Sequence, residues 1–111
     1  MNKKICVVIP CYNEEASIAS VIERFPREKI ARRGYDFEIL VIDNNSKDRT
    51  AEVARAAGAR VIRETKQGKG NAIRRAFYEI DDSVDYVVML DGDATYRSEE
   101  ILRLVEPIDS G

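Results

Sequence analysis

Three short runs of this chain, residues 4–10, 37–43 and 85–91, are apolar almost throughout and rich in Val and Ile. Strands covered on both faces read this way, whereas a strand with one wet face alternates. A fourth run, residues 59–64, does alternate and is expected at an edge of the sheet. Between the runs lie stretches of helical spacing near residues 15–25, 48–57, 71–80 and 98–105. Their ends carry the usual signals: Asn13 and Ser98 as N-caps, Ser46 or Asp48 before the second helix, Gly58 after it, and Glu99 and Glu100 at a positive helix terminus. Strand and helix in alternation predict about four βα units and an α/β fold with an open, mostly parallel sheet. Residues 26–36, rich in Arg and Lys, read as a solvated connection.

Composition narrows the class without changing this picture. With 44% apolar and 34% charged side chains over 111 residues, the chain is one globular domain, small for an enzyme that must hold two substrates. Eighteen basic against twenty acidic residues leave a formal charge of −2, so no global field draws a polyanion and nucleic acid is not an expected partner. The longest apolar run, residues 5–11 with Pro10 inside it, is far short of the ~20 residues that span a bilayer. The basic start is not followed by a small-residue cleavage site, so the expected location is the cytoplasm. Cys6 and Cys11 lie roughly 16 Å apart on an extended strand, too far for a disulfide, and are expected as free thiols. The chain has no histidine, hence no imidazole base, no Ser/His pair and no His-ligated zinc. Any metal here is held by oxygen.

The polar clusters all follow the carboxyl ends of strands, the rim where open α/β sheets bind ligands at the crevice of reversed strand order. With strands ordered 3-2-1-4, the first and fourth flank that crevice. At the end of the fourth run, Asp91-Gly92-Asp93 brings two carboxylates to the rim, with Gly92 adding no side chain to keep phosphate oxygens away. Such hard oxygen ligands suit Mg²⁺ or Mn²⁺ shared with substrate phosphates. Taken alone, the tripeptide is more often a solvated turn.

After the first strand come Pro10, Tyr12, Glu14 and Glu15. Pro10 is expected to stop the ladder, Tyr12 offers a flat ring to a base or ribose, and Glu14 can accept from ribose hydroxyls. Asp43, after the second strand, can accept the ring N–H of uracil or guanine. The segment from Lys66 to Arg75 carries four positive charges and no negative ones, and Gly68 and Gly70 flank Lys69 at a helix start, an arrangement that favours phosphate. It lacks Walker A spacing, and Arg74 and Arg75 read as exposed surface residues.

In this order the four clusters resemble family 2 glycosyltransferases, the inverting group with a GT-A nucleotide-diphospho-sugar fold that includes dolichol-phosphate mannosyl- and glucosyltransferase-like members. The resemblance rests on Pro10, Tyr12, Asn13 and Glu14; on Asp43, Asn44, Asn45, Ser46, Asp48 and Thr50; on Gly68, Lys69, Gly70 and Ala72; and on Asp91 and Asp93. It implies a Rossmann-like half of that fold. Pro10, Tyr12, Glu14 and Asp43 would line the base and ribose of a UDP- or GDP-sugar. Asp91 and Asp93 would hold Mg²⁺ or Mn²⁺ and the sugar diphosphate, with Lys69 and Asp91 among the substrate contacts. Asn44 stands where many relatives carry a second Asp, Arg49 where Gly is common, and Arg97-Ser98 where lipid-phosphate relatives often carry two prolines.

The acceptor implied is a polyprenyl phosphate or a saccharide, which would put the protein in the cytoplasm or at the cytoplasmic face of a membrane. No general base is identifiable in the chain. The resemblance places it after Asp-x-Asp, beyond Gly111, so residues 1–111 are expected to be a donor-binding domain cut before the acceptor region. The fourth strand would then be an apolar edge that invites pairing with a second copy. A donor-binding module without catalysis is the alternative. A receiver-like signalling domain is disfavoured because the first strand exits without an acidic pair.

Overall fold

The computed structural model describes residues 2–110; Met1 and Gly111, the ends of the expected domain, lie outside them. Strands β1 (Lys3–Cys11), β2 (Tyr35–Asp43), β3 (Arg60–Arg63) and β4 (Tyr86–Met89) form one parallel sheet in the order β3-β2-β1-β4. The helices are α1 (Ile18–Glu23), α2 (Arg27–Arg32), α3 (Thr50–Ala56), α4 (Lys69–Glu79) and α5 (Leu102–Ser110), with a 3-10 turn at Ser98–Glu100 ahead of α5. The parallel α/β sheet, its strand order and the edge position of the alternating third strand match the sequence reading.

The two central strands are buried on both faces, which is why their sequences are continuously apolar. Ile5, Val7, Ile9 and Cys11 pack into one layer with Ile18 and Ile22 of α1, Ile30 of α2, Ala54 of α3 and Leu102 and Val105 of α5. Cys6 and Val8 face the other layer with Leu40, Ile42 and the small residues Ala72 and Ala76 of α4. The chain steps from β1 to β2 to β3 with its helices on the first layer, then returns through α4 on the second to set β4 beside β1. That reversal opens a crevice between the carboxyl ends of β1 and β4.

The run at residues 85–91 is not covered on both faces, because β4 lies at the sheet edge with Val87 and Met89 half-exposed. Elsewhere the structure departs from the sequence reading in four places. Pro10 does not stop β1, which pairs with β2 as far as Cys11 opposite Asp43. Lys4 and Val8 accept hydrogen bonds from the β4 side and Cys11 accepts from Asn44, so the even-numbered residues of β1 bond toward β4. Pro10 therefore lacks an N–H only where β4 has already ended at Met89, opposite Val8. Residues 26–36 are not all connection. Pro26 and Gly34, at φ +85°, bracket α2, and only Ile30 of that helix is buried, too faint a signal for periodicity. Neither Asn13 nor Ser98 is an N-cap: α1 begins only at Ile18, and Ser98 is buried, its hydroxyl donating to the Val21 carbonyl at 2.7 Å.

The fourth departure is at the last helix, which does not stop at Val105 but runs through Pro107 to Ser110. Beyond the proline, the Asp109 carboxylate accepts hydrogen bonds from Lys3 Nζ (2.5 Å), Tyr86 OH (2.5 Å) and Tyr35 OH (2.7 Å). One carboxylate thus ties α5 to the starts of three strands. These donors hold Asp109 far below its ordinary value of 3.8, and the hydrogen bond to the Asp109 carboxylate pushes the Tyr35 phenol up to about 12. A depressed carboxylate stabilises the fold fully above its unfolded pKa, and that stabilisation is lost as pH falls through the folded one. Acid titration followed by circular dichroism should therefore show stability falling below about pH 4 in the wild type, with a flatter acid limb in Asp109→Asn.

No helix among the described residues is long and apolar enough to cross a membrane. Both cysteines are free and buried.

Candidate functional site

The loops after β1 and β2 are joined by side chains that the sequence alone suggests for helix capping. The Asn13 N–H donates to Ser46 Oγ (2.9 Å), and Asn13 Oδ1 accepts from the Lys47 N–H (2.8 Å). The Glu14 N–H donates to Thr50 Oγ1 (2.9 Å), and Glu15 Oε1 accepts from the Arg49 N–H (2.8 Å). Asp48 accepts from the Thr50 N–H (3.0 Å) and the Thr50 hydroxyl in a local turn, but the N-cap position of α3 belongs to Arg49, so neither Ser46 nor Asp48 is the cap that the sequence suggests. Asn13 and Asn45 adopt left-handed backbone, at φ 53° and 65°, as short polar side chains allow. These bonds fix the rim on which Tyr12 and Glu14 stand.

Asn44 ties in the third loop. Its Nδ2 donates to the carbonyls of Glu64 (3.2 Å) and Lys66 (2.9 Å), and its Oδ1 accepts from the Gly68 N–H (2.9 Å). The backbone N–H of Asn44 reaches the Cys11 carbonyl at 2.8 Å, so one residue links the exits of β1, β2 and β3. This explains an amide rather than a carboxylate here: an Asp would set an oxygen against two carbonyls. Asn44→Ala leaves three backbone groups without their partner and is expected to cost about 2–3 kcal/mol. Urea denaturation should show it as a lower midpoint at unchanged slope.

Asp91 and Asp93 leave β4 on a turn anchored at Gly92. That glycine is buried, and its carbonyl accepts from Ser17 Oγ at 2.6 Å. A Cβ at Gly92 would lie 2.7 Å from Cys11 Sγ, so crowding by β1 is itself a reason for glycine here. Asp93 Oδ1 accepts from the Thr95 N–H (3.0 Å) and the Thr95 hydroxyl, which hold its carboxylate below the usual range. Asp91 Oδ1 accepts from Lys69 Nζ at 3.1 Å. Partial burial, then repulsion from Asp93, Asp48 and Asp91, raises the pKa of Glu14 against the lowering effect of Ser17. Burial likewise pushes the Cys11 thiol up, away from any nucleophilic role.

A cleft of about 210 Å³ lies at the strand reversal, lined by Pro10, Cys11, Tyr12, Glu14, Asn44, Lys69, Ala72 and Asp91. A second recess, about 310 Å³, shares Tyr12, Asn44 and Lys69 with it and extends along Gln67 and Gly68. Of the six residues expected to touch substrate, Pro10, Tyr12, Glu14, Lys69 and Asp91 line the cleft. Asp43 does not. It is 1% exposed, accepts from the Ser46 N–H at 3.0 Å, and pairs with Arg63 Nη1 at 3.3 Å. Arg63 Nη2 also reaches Asn45 Oδ1 at 2.7 Å. Arg75 is held by Glu79 (3.1 Å) and Glu64 (3.9 Å), in keeping with a structural role.

Asp91 and Asp93 are exposed, hard oxygen donors on one turn, and among the described residues no group of three or more His, Cys, Asp or Glu is placed to hold a metal. Two carboxylates fit Mg²⁺ or Mn²⁺ only as an ion that takes its remaining ligands from water and phosphate. Sequence reasoning missed the positioning roles of Ser17, Asn44 and Thr50. Each acts through contacts 20 or more residues away in the chain, as in the Ser17–Gly92 separation of 75.

A sequence model described as Glycosyl transferase family 2 matches residues 6–111. The chain is 48% identical to Protein RfbJ of Shigella flexneri over 91% of this chain and 73% of that one. It is 38% identical to the dolichol-phosphate mannosyltransferase of Pyrococcus furiosus over 97% of this chain, but spans only 31% of that protein. Among solved structures it resembles glucosyl-3-phosphoglycerate synthase of Mycobacterium tuberculosis in complex with Mn²⁺, UDP-glucose and phosphoglyceric acid. That likeness has a TM-score of 0.81 and 32% identity, and covers 98% of this chain and 40% of the synthase. The family match, which runs through both halves of the cleft, and a shared GT-A architecture agree: this chain belongs to glycosyl transferase family 2.

Proposed function

We propose that this domain holds the donor of a sugar transfer, a UDP- or GDP-sugar. Its base and ribose lie by Tyr12 and Glu14, with the buried Asp43 bracing the loop behind them, and its diphosphate lies between Lys69 and the Asp91-Gly92-Asp93 turn. The observation that carries the reading is the meeting of Pro10, Tyr12, Glu14, Lys69 and Asp91 in one cleft at the strand reversal. Tyr12 is 44% exposed and offers its ring to the ligand. Asp91 and Asp93 hold Mg²⁺ or Mn²⁺ together with phosphate oxygens, and Lys69 adds a positive charge. When bound, the metal neutralises the negative charge of the departing diphosphate.

The whole protein transfers the sugar to a hydroxyl or to a polyprenyl phosphate, the latter supported by the likeness to the dolichol-phosphate mannosyltransferase of Pyrococcus furiosus. Calorimetry with UDP-glucose and GDP-mannose, with and without Mn²⁺, tests the donor reading. Metal-dependent binding of one of them is expected, and binding indifferent to metal would overturn it.

We also propose that β4, an edge strand with Val87 and Met89 about 40% exposed, pairs with a second copy. Light scattering at high concentration is expected to give a dimer; a clean monomer counts against it.

A further inference from the structure

We infer that Lys69 makes the binding of metal and nucleotide cooperative, by competing with the cation for Asp91 until a diphosphate draws the lysine away. The inference rests on the donor reading above. Lys69 Nζ sits 3.1 Å from Asp91 Oδ1, although the two residues are 22 apart in the chain. Both backbones are held. Lys69 opens α4 directly after Gly68, whose N–H is bound by Asn44, and Asp91 precedes the buried Gly92, whose carbonyl is bound by Ser17. Their meeting is therefore set by the fold and not by chance contact of neighbours.

The pair spans the cleft that both residues line. Lys69 is 67% exposed and Asp91 60%, so the attraction between them is screened and weak. A doubly charged ion can displace it, but only by giving up part of its own binding. Divalent ions of this class draw on the same carboxylate that Lys69 holds through Oδ1, and once bound they repel the ammonium. A diphosphate changes both sides of the balance. It offers Lys69, a flexible point charge, a new set of acceptor oxygens, and it offers the cation the ligands that two carboxylates cannot supply. Each ligand removes the obstacle to the other, and linkage makes the effect equal in both directions.

Paramagnetic resonance titration of Mn²⁺, with and without saturating UDP, measures this coupling in the wild type and in Lys69→Met and Lys69→Arg. Methionine keeps the unbranched stem and the helix preference but not the charge. Without UDP, Lys69→Met should bind Mn²⁺ about 2- to 5-fold more tightly than the wild type, because the competitor is gone. The factor by which UDP tightens Mn²⁺ binding should fall by the same 2- to 5-fold, and Lys69→Arg should restore most of it. Unchanged or weaker Mn²⁺ binding by Lys69→Met without UDP would overturn the inference, as would an unchanged coupling factor. Wild-type protein in which UDP and Mn²⁺ bind independently, or not at all, would instead overturn the donor reading on which it rests.

Discussion

Asp93→Ala should weaken Mn²⁺-dependent binding of a UDP- or GDP-sugar by about a hundredfold or more, while moving the melting temperature by no more than a few degrees. The size follows from the ligand count. Among the described residues the turn offers two carboxylates and no third cluster member, so removing one leaves a single protein ligand for the ion. Losing a partner that merely orients a metal ligand typically costs 10- to 100-fold, and losing the ligand itself belongs at or beyond the upper end. The small effect on stability follows from exposure: the Asp93 hydrogen bonds go to Thr95, two residues away on the surface. Calorimetric titration in the presence and absence of Mn²⁺, paired with a thermal melt, separates the two effects. Equal affinity in wild type and variant would remove Asp93 from the metal site.

One methyl group at Gly92 is expected to lower both stability and donor affinity. Gly92→Ala places a Cβ 2.7 Å from Cys11 Sγ, 3.3 Å from Glu14 Cγ and 3.5 Å from Ile18 Cδ1. Gly92 is not in left-handed backbone, so the cost is steric and owes nothing to φ. Cys11 is 2% exposed on a central strand, and a short side chain there has nowhere to turn. Overpacking of this kind costs about 1–3 kcal/mol, or roughly 5–15 °C of melting temperature in a domain of this size. The turn has to yield, which shifts Asp91 and Asp93 and lowers donor affinity as well. The double variant Cys11→Ala/Gly92→Ala removes the clashing sulfur and should recover part of both losses. Melts of the wild type, two single variants and the double variant form a cycle whose coupling should exceed about 1 kcal/mol. Additive losses would show that the contact is not the cause.

The cleft was legible in the sequence to the extent that its residues follow strand ends. Pro10, Tyr12, Glu14, Lys69 and Asp91 each stand in a local motif, and they line one cleft because parallel strands deliver all their exits to the same edge. Asp43 stands in one as well, yet its carboxylate is turned to Ser46 and Arg63, and no local pattern announces a partner 20 residues away. Asn13 and Ser98 are not the caps that their local sequence suggests, for a related reason. Their side chains can bond a following helix or a distant backbone with equal chemistry, and the loops they join made the distant partner available. A different cause hides α2, whose single buried residue gives periodicity nothing to register.

The sequence by itself determined the class of fold, the parallel sheet and the rim on which the polar clusters stand, because hydrophobic runs and helix spacing act over a few residues. Only the tertiary structure decided how that rim is built: Asn44 holding the third loop, Asp109 clamping a helix across its proline, and Gly92 kept bare by Cys11. These are contacts between segments far apart in the chain. Their geometry depends on how closely packed strands approach one another, a distance that no run of neighbouring residues encodes.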